Sequence, residues 1–239
     1  MTLDRRFVIL RSHTEIKLSH MRTKTLLLTA ALCAAGAATS MAQVYSVNMV
    51  GYINQTVPSG FSLIANQLNA SPDNKVTTLF AAPPDQTQVF KFIPATSTFQ
   101  FIQFVDGAWE GDNVNMTLGP GEGVFINPPS SFPVTFVGEV ALSSSVALTP
   151  GFQIVSSALP QSLPLTGAPP AGLGFPIGEG DQVYQFNPTT DSYKFNQFVD
   201  GAWEGDSLGQ PPTPAIGESF YYKRAAGTAN WTRTFSVGP

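Results

Sequence analysis

A nine-residue string, Phe-Val-Asp-Gly-Ala-Trp-Glu-Gly-Asp, occurs twice without change, at residues 104–112 and again at 198–206. The copies begin 94 residues apart in a chain of 239, so the fold must be one that roughly 100 residues can build, and build twice. The flanks repeat as well. Residues 88–112 and 182–206 match at 16 of 25 positions, and Phe90 and Phe99 fall opposite Tyr184 and Tyr193. Upstream, Gly60-Phe61-Ser62-Leu63-Ile64 aligns with Gly151-Phe152-Gln153-Ile154-Val155; downstream, Gly121-Glu122 aligns with Gly217-Glu218. Val-Gly pairs at Val50-Gly51, Val137-Gly138 and Val237-Gly238 mark the module edges.

The local patterns are those of strands. Phe90 and Phe92 alternate with Val89 and Lys91, and Phe99 and Phe101 with Gln100 and Ile102, the period of two that sets one group of side chains on a buried face. With the turn Pro94-Ala95-Thr96-Ser97 between them, residues 89–105 read as a β-hairpin, and 183–199 read the same way. Further strands are expected at 61–66, 123–127 and 134–140, with counterparts at 153–158, 218–223 and 232–237. A single helical turn is expected at 76–81; prolines and glycines leave no window for a longer amphipathic helix. Residues 161–180, rich in Pro, Gly and Leu, read as a loop inside the second module. The expected fold is all-β: two tandem homologous β-sandwich or partly open barrel modules, at 43–140 and 141–239, packed with pseudo-two-fold symmetry.

Ahead of the modules stands a secretory leader. Met21 opens it, Arg22 and Lys24 give the positive end, residues 26–38 the apolar stretch and Ser40-Met41-Ala42 the cleavage site, so residues 21–42 are removed and the mature chain begins at Gln43. Residues 1–20 have no such pattern and read as an extension from a start codon assigned too early. Cys33, the one cysteine, and both histidines, His13 and His20, lie before the cleavage site. The mature chain thus has no imidazole and no thiol. Ser-His-Asp and Cys-His nucleophiles, histidine acid–base pairs, ordinary zinc or copper sites and disulfides are all outside its chemistry. Removal of residues 1–42 also leaves 6 basic against 14 acidic residues, a net charge of −8. Such a balance argues against nucleic acid and anionic lipid as partners.

The repeated string supports several readings. Asp106-Gly107 and Asp200-Gly201 are tight-turn dipeptides, and Trp109 and Trp203 each supply a large apolar surface, so a double turn pinned by a tryptophan wedge is one. In another, Asp106, Glu110 and Asp112, with Asp200, Glu204 and Asp206, hold Ca²⁺ through hard oxygen ligands, although the spacing matches no EF-hand. In a third, Trp109 and Trp203 stack on sugar faces while the carboxylates accept hydroxyl bonds. Paired carboxylates also serve glycosidases, but two identical loops would then make two active sites. No metal or cofactor is otherwise called for.

Gly60-Phe61-Ser62-Leu63-Ile64-Ala65-Asn66-Gln67-Leu68, then Val89-Phe90-Lys91-Phe92, Gly119-Pro120-Gly121-Glu122-Gly123-Val124-Phe125-Ile126 and Val134-Thr135-Phe136-Val137-Gly138 together resemble a class of exported bacterial tandem β-modules. The second copy departs from it at Ser156-Ser157 and at residues 215–219. The resemblance implies export and an all-β fold and brings no catalytic residues. The chain is therefore expected to be a non-enzymatic, secreted or periplasmic structural or surface interaction protein. Its expected partners are envelope or extracellular matrix components or glycans, with self-association open; the alternative is a carbohydrate- or Ca²⁺-binding module that uses the Trp loops.

Overall fold

The computed structural model describes residues 49–235; the leader, the extension before it and Val237-Gly238 lie outside the described residues. Among the described residues fourteen strands and one helical turn follow in order. The first seven strands are β1 (Val50–Val57), β2 (Ser62–Ile64), β3 (Gln88–Ile93), β4 (Thr98–Val105), β5 (Ala108–Glu110), β6 (Val124–Asn127) and β7 (Phe132–Glu139), with α1 (Val76–Leu79) between β2 and β3. The second seven are β8 (Ser143–Leu148), β9 (Gly151–Val155), β10 (Gln182–Asn187), β11 (Ser192–Val199), β12 (Ala202–Gly205), β13 (Phe220–Arg224) and β14 (Ala229–Thr234).

Each half repeats one antiparallel plan. A five-stranded sheet, β2-β6-β3-β4-β5 or β9-β13-β10-β11-β12, is accompanied by a two-stranded ribbon, β1-β7 or β8-β14. The terminal strands of each five-stranded sheet do not pair with one another, so both halves are open sandwiches, not closed barrels. The two Val-Gly pairs at the edges of the first half meet in the ribbon, where Gly51 lies opposite Gly138.

Aliphatic residues on one face of each sheet turn toward its ribbon and form the core. In the first half Val89, Ile102, Val124 and Ile126 meet Ile53, Val57, Val134 and Phe136. In the second, Val183, Phe220 and Tyr222 meet Leu148 and Trp231. The hairpins at 89–105 and 183–199 stand where the alternation places them, but the faces are reversed from the simplest reading. Val89 and Ile102 are the fully buried set, whereas Phe99 and Phe101 are exposed on the opposite face. Residues 161–180 have neither strand nor helix, yet Leu165, Leu173 and Phe175 from this loop fill the second core, and Trp231 donates its indole N–H to the carbonyl of Leu173 at 2.8 Å. The second half also buries a charged knot. Asp181 accepts from the backbone N–H groups of Gly178 and Ala225, both at 2.7 Å, and from the Tyr222 hydroxyl, with Arg224 Nη1 3.4 Å away.

The halves join through equivalent residues. Ile64 bridges to Glu218, and its counterpart Val155 bridges to Glu122, the counterpart of Glu218. The Ala65 N–H donates to the carbonyl of Gly217 at 2.8 Å, and the Ser156 N–H to that of Gly121 at 3.0 Å. Rings follow the same rule: Phe92 meets Tyr221 at 6.1 Å, Phe125 meets Phe186 at 5.7 Å, and Phe125 meets Tyr221, its own counterpart, at 5.7 Å. Leu63 and its counterpart Ile154 complete the cluster. Reciprocal contacts of this kind, residue i to j and j to i, are the signature of a two-fold axis, here a pseudo-two-fold between the two copies. The departures of the second copy lie on that axis. Ser156 donates its hydroxyl to the Glu122 carbonyl and Ser219 to that of Ile64, at 2.8 and 2.9 Å, while their counterparts are Ala65 and Gly123. A Cβ on Gly123 would collide with the side chain of Ser219 and come to 2.6 Å from Ile154 Cγ2. Two equivalent side chains cannot occupy one point on an axis, so one copy carries the serine and the other the glycine.

Candidate functional site: an aromatic face across both halves

Because β3, β4, β10 and β11 turn Val89, Ile102, Val183 and Asn196 inward, their alternate residues project from the other face, and these are aromatic in both copies. Near the axis they pack between the halves; away from it they open to solvent. Phe61 is 42% exposed, Phe99 45%, Phe152 42% and Tyr193 44%. The ring geometry repeats from copy to copy. Phe61–Phe90, Phe90–Phe101 and Phe92–Phe99 have centroid separations of 6.0, 5.0 and 5.2 Å. Phe152–Tyr184, Tyr184–Phe195 and Phe186–Tyr193 have 6.1, 5.1 and 5.2 Å. These are the spacings at which aromatic pairs attract beyond their buried area.

Between the halves the face dips into a groove of about 320 Å³ lined by Phe61, Phe90, Phe99 and Phe125 from one copy and Phe186 and Tyr193 from the other, with Asp191 at its margin. Burial, with the nearby Asp191 charge second, raises the Tyr193 pKa above its ordinary value, and burial raises that of Tyr184. Both hydroxyls therefore remain neutral donors at physiological pH; that of Tyr184 is held by Gln182 Oε1 at 2.7 Å. Lys223 places its ammonium 5.4 Å from the centroid of Phe152, a cation–π contact at the far margin.

The repeated string lies elsewhere, at the β4–β5 and β11–β12 hairpins. Asp106 and Gly107 have φ of 50° and 83°, and Asp200 and Gly201 have 50° and 75°. Positive φ at both central residues is what a type I′ hairpin turn requires, hence Asp-Gly. The Asp106 N–H is capped by Asp85 Oδ1 at 2.8 Å and the Asp200 N–H by Glu179 Oε1 at 2.7 Å, again equivalent residues. Trp203 is buried beside Phe198, its indole N–H donating to Thr166 Oγ1 at 3.2 Å. Trp109 is half-buried against Phe104, and its N–H donates to the Phe80 carbonyl at 3.0 Å. Trp203 thus lies within the second core and Trp109 at the margin of the first. Asp106, Glu110, Asp112, Asp200, Glu204 and Asp206 are all exposed, and the Asp206 carboxylate accepts from the Phe195 N–H at 2.8 Å. Among the described residues no three Asp or Glu side chains are brought together in a way that would hold a metal ion.

The sequence placed interest on the tryptophans, whereas the exposed rings are the phenylalanines and tyrosines of the strands. A signal for them was present: Val89-Phe90-Lys91-Phe92 and Phe99-Gln100-Phe101-Ile102 carry apolar residues on both faces, more than one buried face needs. No family model, curated protein or solved structure matches the chain.

Proposed function

We propose that the chain is an exported, non-enzymatic structural or surface-assembly protein that works through its aromatic face, and that this face pairs with a second copy of the chain. The observation that carries the reading is the set of exposed rings, Phe61, Phe99, Phe152 and Tyr193, continuous with the junction of the halves. That junction already joins one such face to its homologue through Phe92, Phe125, Phe186 and Tyr221, so the surface has a shape and chemistry suited to its own kind. Contiguous exposed apolar surface rimmed by polar residues is the usual mark of an interaction site. The leader pattern at residues 21–42 supports export, and the lack of His and Cys after residue 42 supports a non-catalytic role.

Light scattering coupled to size exclusion tests it on the wild type and on the double variant Phe99→Ser/Tyr193→Ser. The mass of the wild type should rise with concentration and that of the variant should stay at one chain. A single-chain mass at every concentration for the wild type, or an equal rise for the variant, would overturn the proposal.

A further inference from the structure

The two halves differ where a loop crosses the inner face of the five-stranded sheet, and there the second half has a cleft. In the first half the connection from the repeated string to Gly121 is residues 113–120; in the second, from the string to Gly217, it is 207–216, two residues longer. The shorter loop is clamped to its sheet by Lys91, whose ammonium donates to the Thr117 carbonyl at 2.9 Å, to Thr117 Oγ1 at 3.0 Å and to Glu122 Oε1 at 2.6 Å. At the equivalent position the second half has Gln185, and the lysine has moved to the facing strand. Lys91 lies opposite Gln100, and Gln185 lies opposite Lys194.

The exchange frees the longer loop from the sheet. Gln185 Nε2 still donates to Glu218 Oε1 at 2.9 Å, but the loop is held from its other side, by Leu165 N–H to the Pro212 carbonyl at 2.8 Å and Ser162 Oγ to that of Pro214 at 2.9 Å. Between loop and sheet lies a cleft of about 360 Å³, within the lower range of small-ligand sites, lined by Gln185, Phe186, Asn187, Lys194, Ser207 and Gln210.

Two features of the cleft are poorly explained by folding alone. Asn196, fully buried on β11 two residues beyond Lys194 on the same face, replaces the core residue Ile102 of the first half, and its Nδ2 has no partner. Its Oδ1 accepts from the Ser207 N–H at 2.8 Å, and the Ser207 hydroxyl, in the wall of the cleft, is also buried without a partner. Native interiors rarely leave such groups unmatched unless something else meets them. Lys194, in turn, has no carboxylate within ion-pair distance among the described residues. Burial raises the pKa of the nearby Glu218 carboxyl, against the bonds it accepts from the Ala215 N–H and Gln185 and the charge of Lys194.

We infer that the cleft between β10–β11 and residues 207–216 is a binding site for a small hydroxyl-rich ligand with one anionic group, one or two rings of an acidic sugar in size. The amides of Gln185, Asn187 and Gln210 and the Ser207 hydroxyl both donate and accept, as sugar hydroxyls require. Lys194 meets the carboxylate. In the first half the Lys91 clamp draws the shorter loop onto its sheet.

Calorimetric titration of the full chain with glucuronate and, separately, glucose tests this. Glucuronate should bind saturably at one site and more tightly than glucose. Lys194→Gln should weaken glucuronate about tenfold or more, the loss of one charge-assisted contact. Gln185→Lys, which restores the clamp of the first half, should abolish binding while leaving the folded circular dichroism spectrum intact; Gln210→Ala is the second probe of the loop wall and should weaken binding without disturbing the core. Absence of saturable glucuronate binding by the wild type, equal affinity for the two sugars, or wild-type binding by Gln185→Lys would overturn the inference. None of these results bears on self-association, which is read by mass.

Discussion

Single residues separate the two copies more sharply than their shared sequence suggests. Trp109 and Trp203 stand in identical nonapeptides, yet Trp203 is buried and bonded to Thr166 of the long second-half loop, whereas Trp109 is half-buried against α1 through the Phe80 carbonyl. Trp203→Ala should therefore cost about 3–5 kcal/mol and Trp109→Ala about 2 kcal/mol, the order expected when a cavity forms in a core and not at its margin. Denaturant unfolding of both variants checks the ranking. Glu218 supplies a pH signature. Burial raises its folded pKa above the unfolded value, so the native state binds the extra proton, and stability falls as pH rises from below the ordinary carboxylate range through the folded pKa. Glu218→Gln removes this titration; its stability relative to wild type should be lowest near pH 3 and increase toward neutrality. A gap that does not change with pH would deny Glu218 that role.

Strands and turns were largely legible in the sequence because each hairpin carries its own period and punctuation. The β3–β4 and β10–β11 hairpins follow from alternation around Pro94 and Pro188. The strands β1 and β8 were harder to find, since Val50–Val57 and Ser143–Leu148 alternate weakly and acquire strand character only by pairing with β7 and β14. Which face of β3 and β4 is the core was not legible either. Both faces are apolar, and the choice depends on the ribbon and the other half, contacts distant in sequence. The same holds for the cleft, whose polar partners are spread from Gln185 to Gln210. At the junction, Gly123→Ala should destabilise by about 1–3 kcal/mol through overpacking against Ser219 and Ile154. Adding Ser219→Gly should recover part of the loss, the Ser219–Ile64 bond being the part not recovered. Equal stability of Gly123→Ala and wild type, read from thermal melts, would contradict the crowded axis.

For the molecule as a whole, duplication has produced one body from two modules. The reciprocal bridges Ile64–Glu218 and Val155–Glu122, the serines on the axis and the shared aromatic cluster tie each half to the other. Scanning calorimetry should accordingly give one transition whose calorimetric and van't Hoff enthalpies agree; two separable transitions would mean that the halves fold alone. The same duplication leaves an aromatic face only partly covered by the junction, and that face, not the tryptophan loops, is the proposed working surface. Hydrogen exchange of the wild-type chain, followed by mass spectrometry in dilute and in concentrated solution, tests this most directly. Protection should increase with concentration in β3–β4 and β10–β11 and stay constant in the 106–112 and 200–206 loops. Protection that does not change with concentration, or that increases in the tryptophan loops alone, would contradict it.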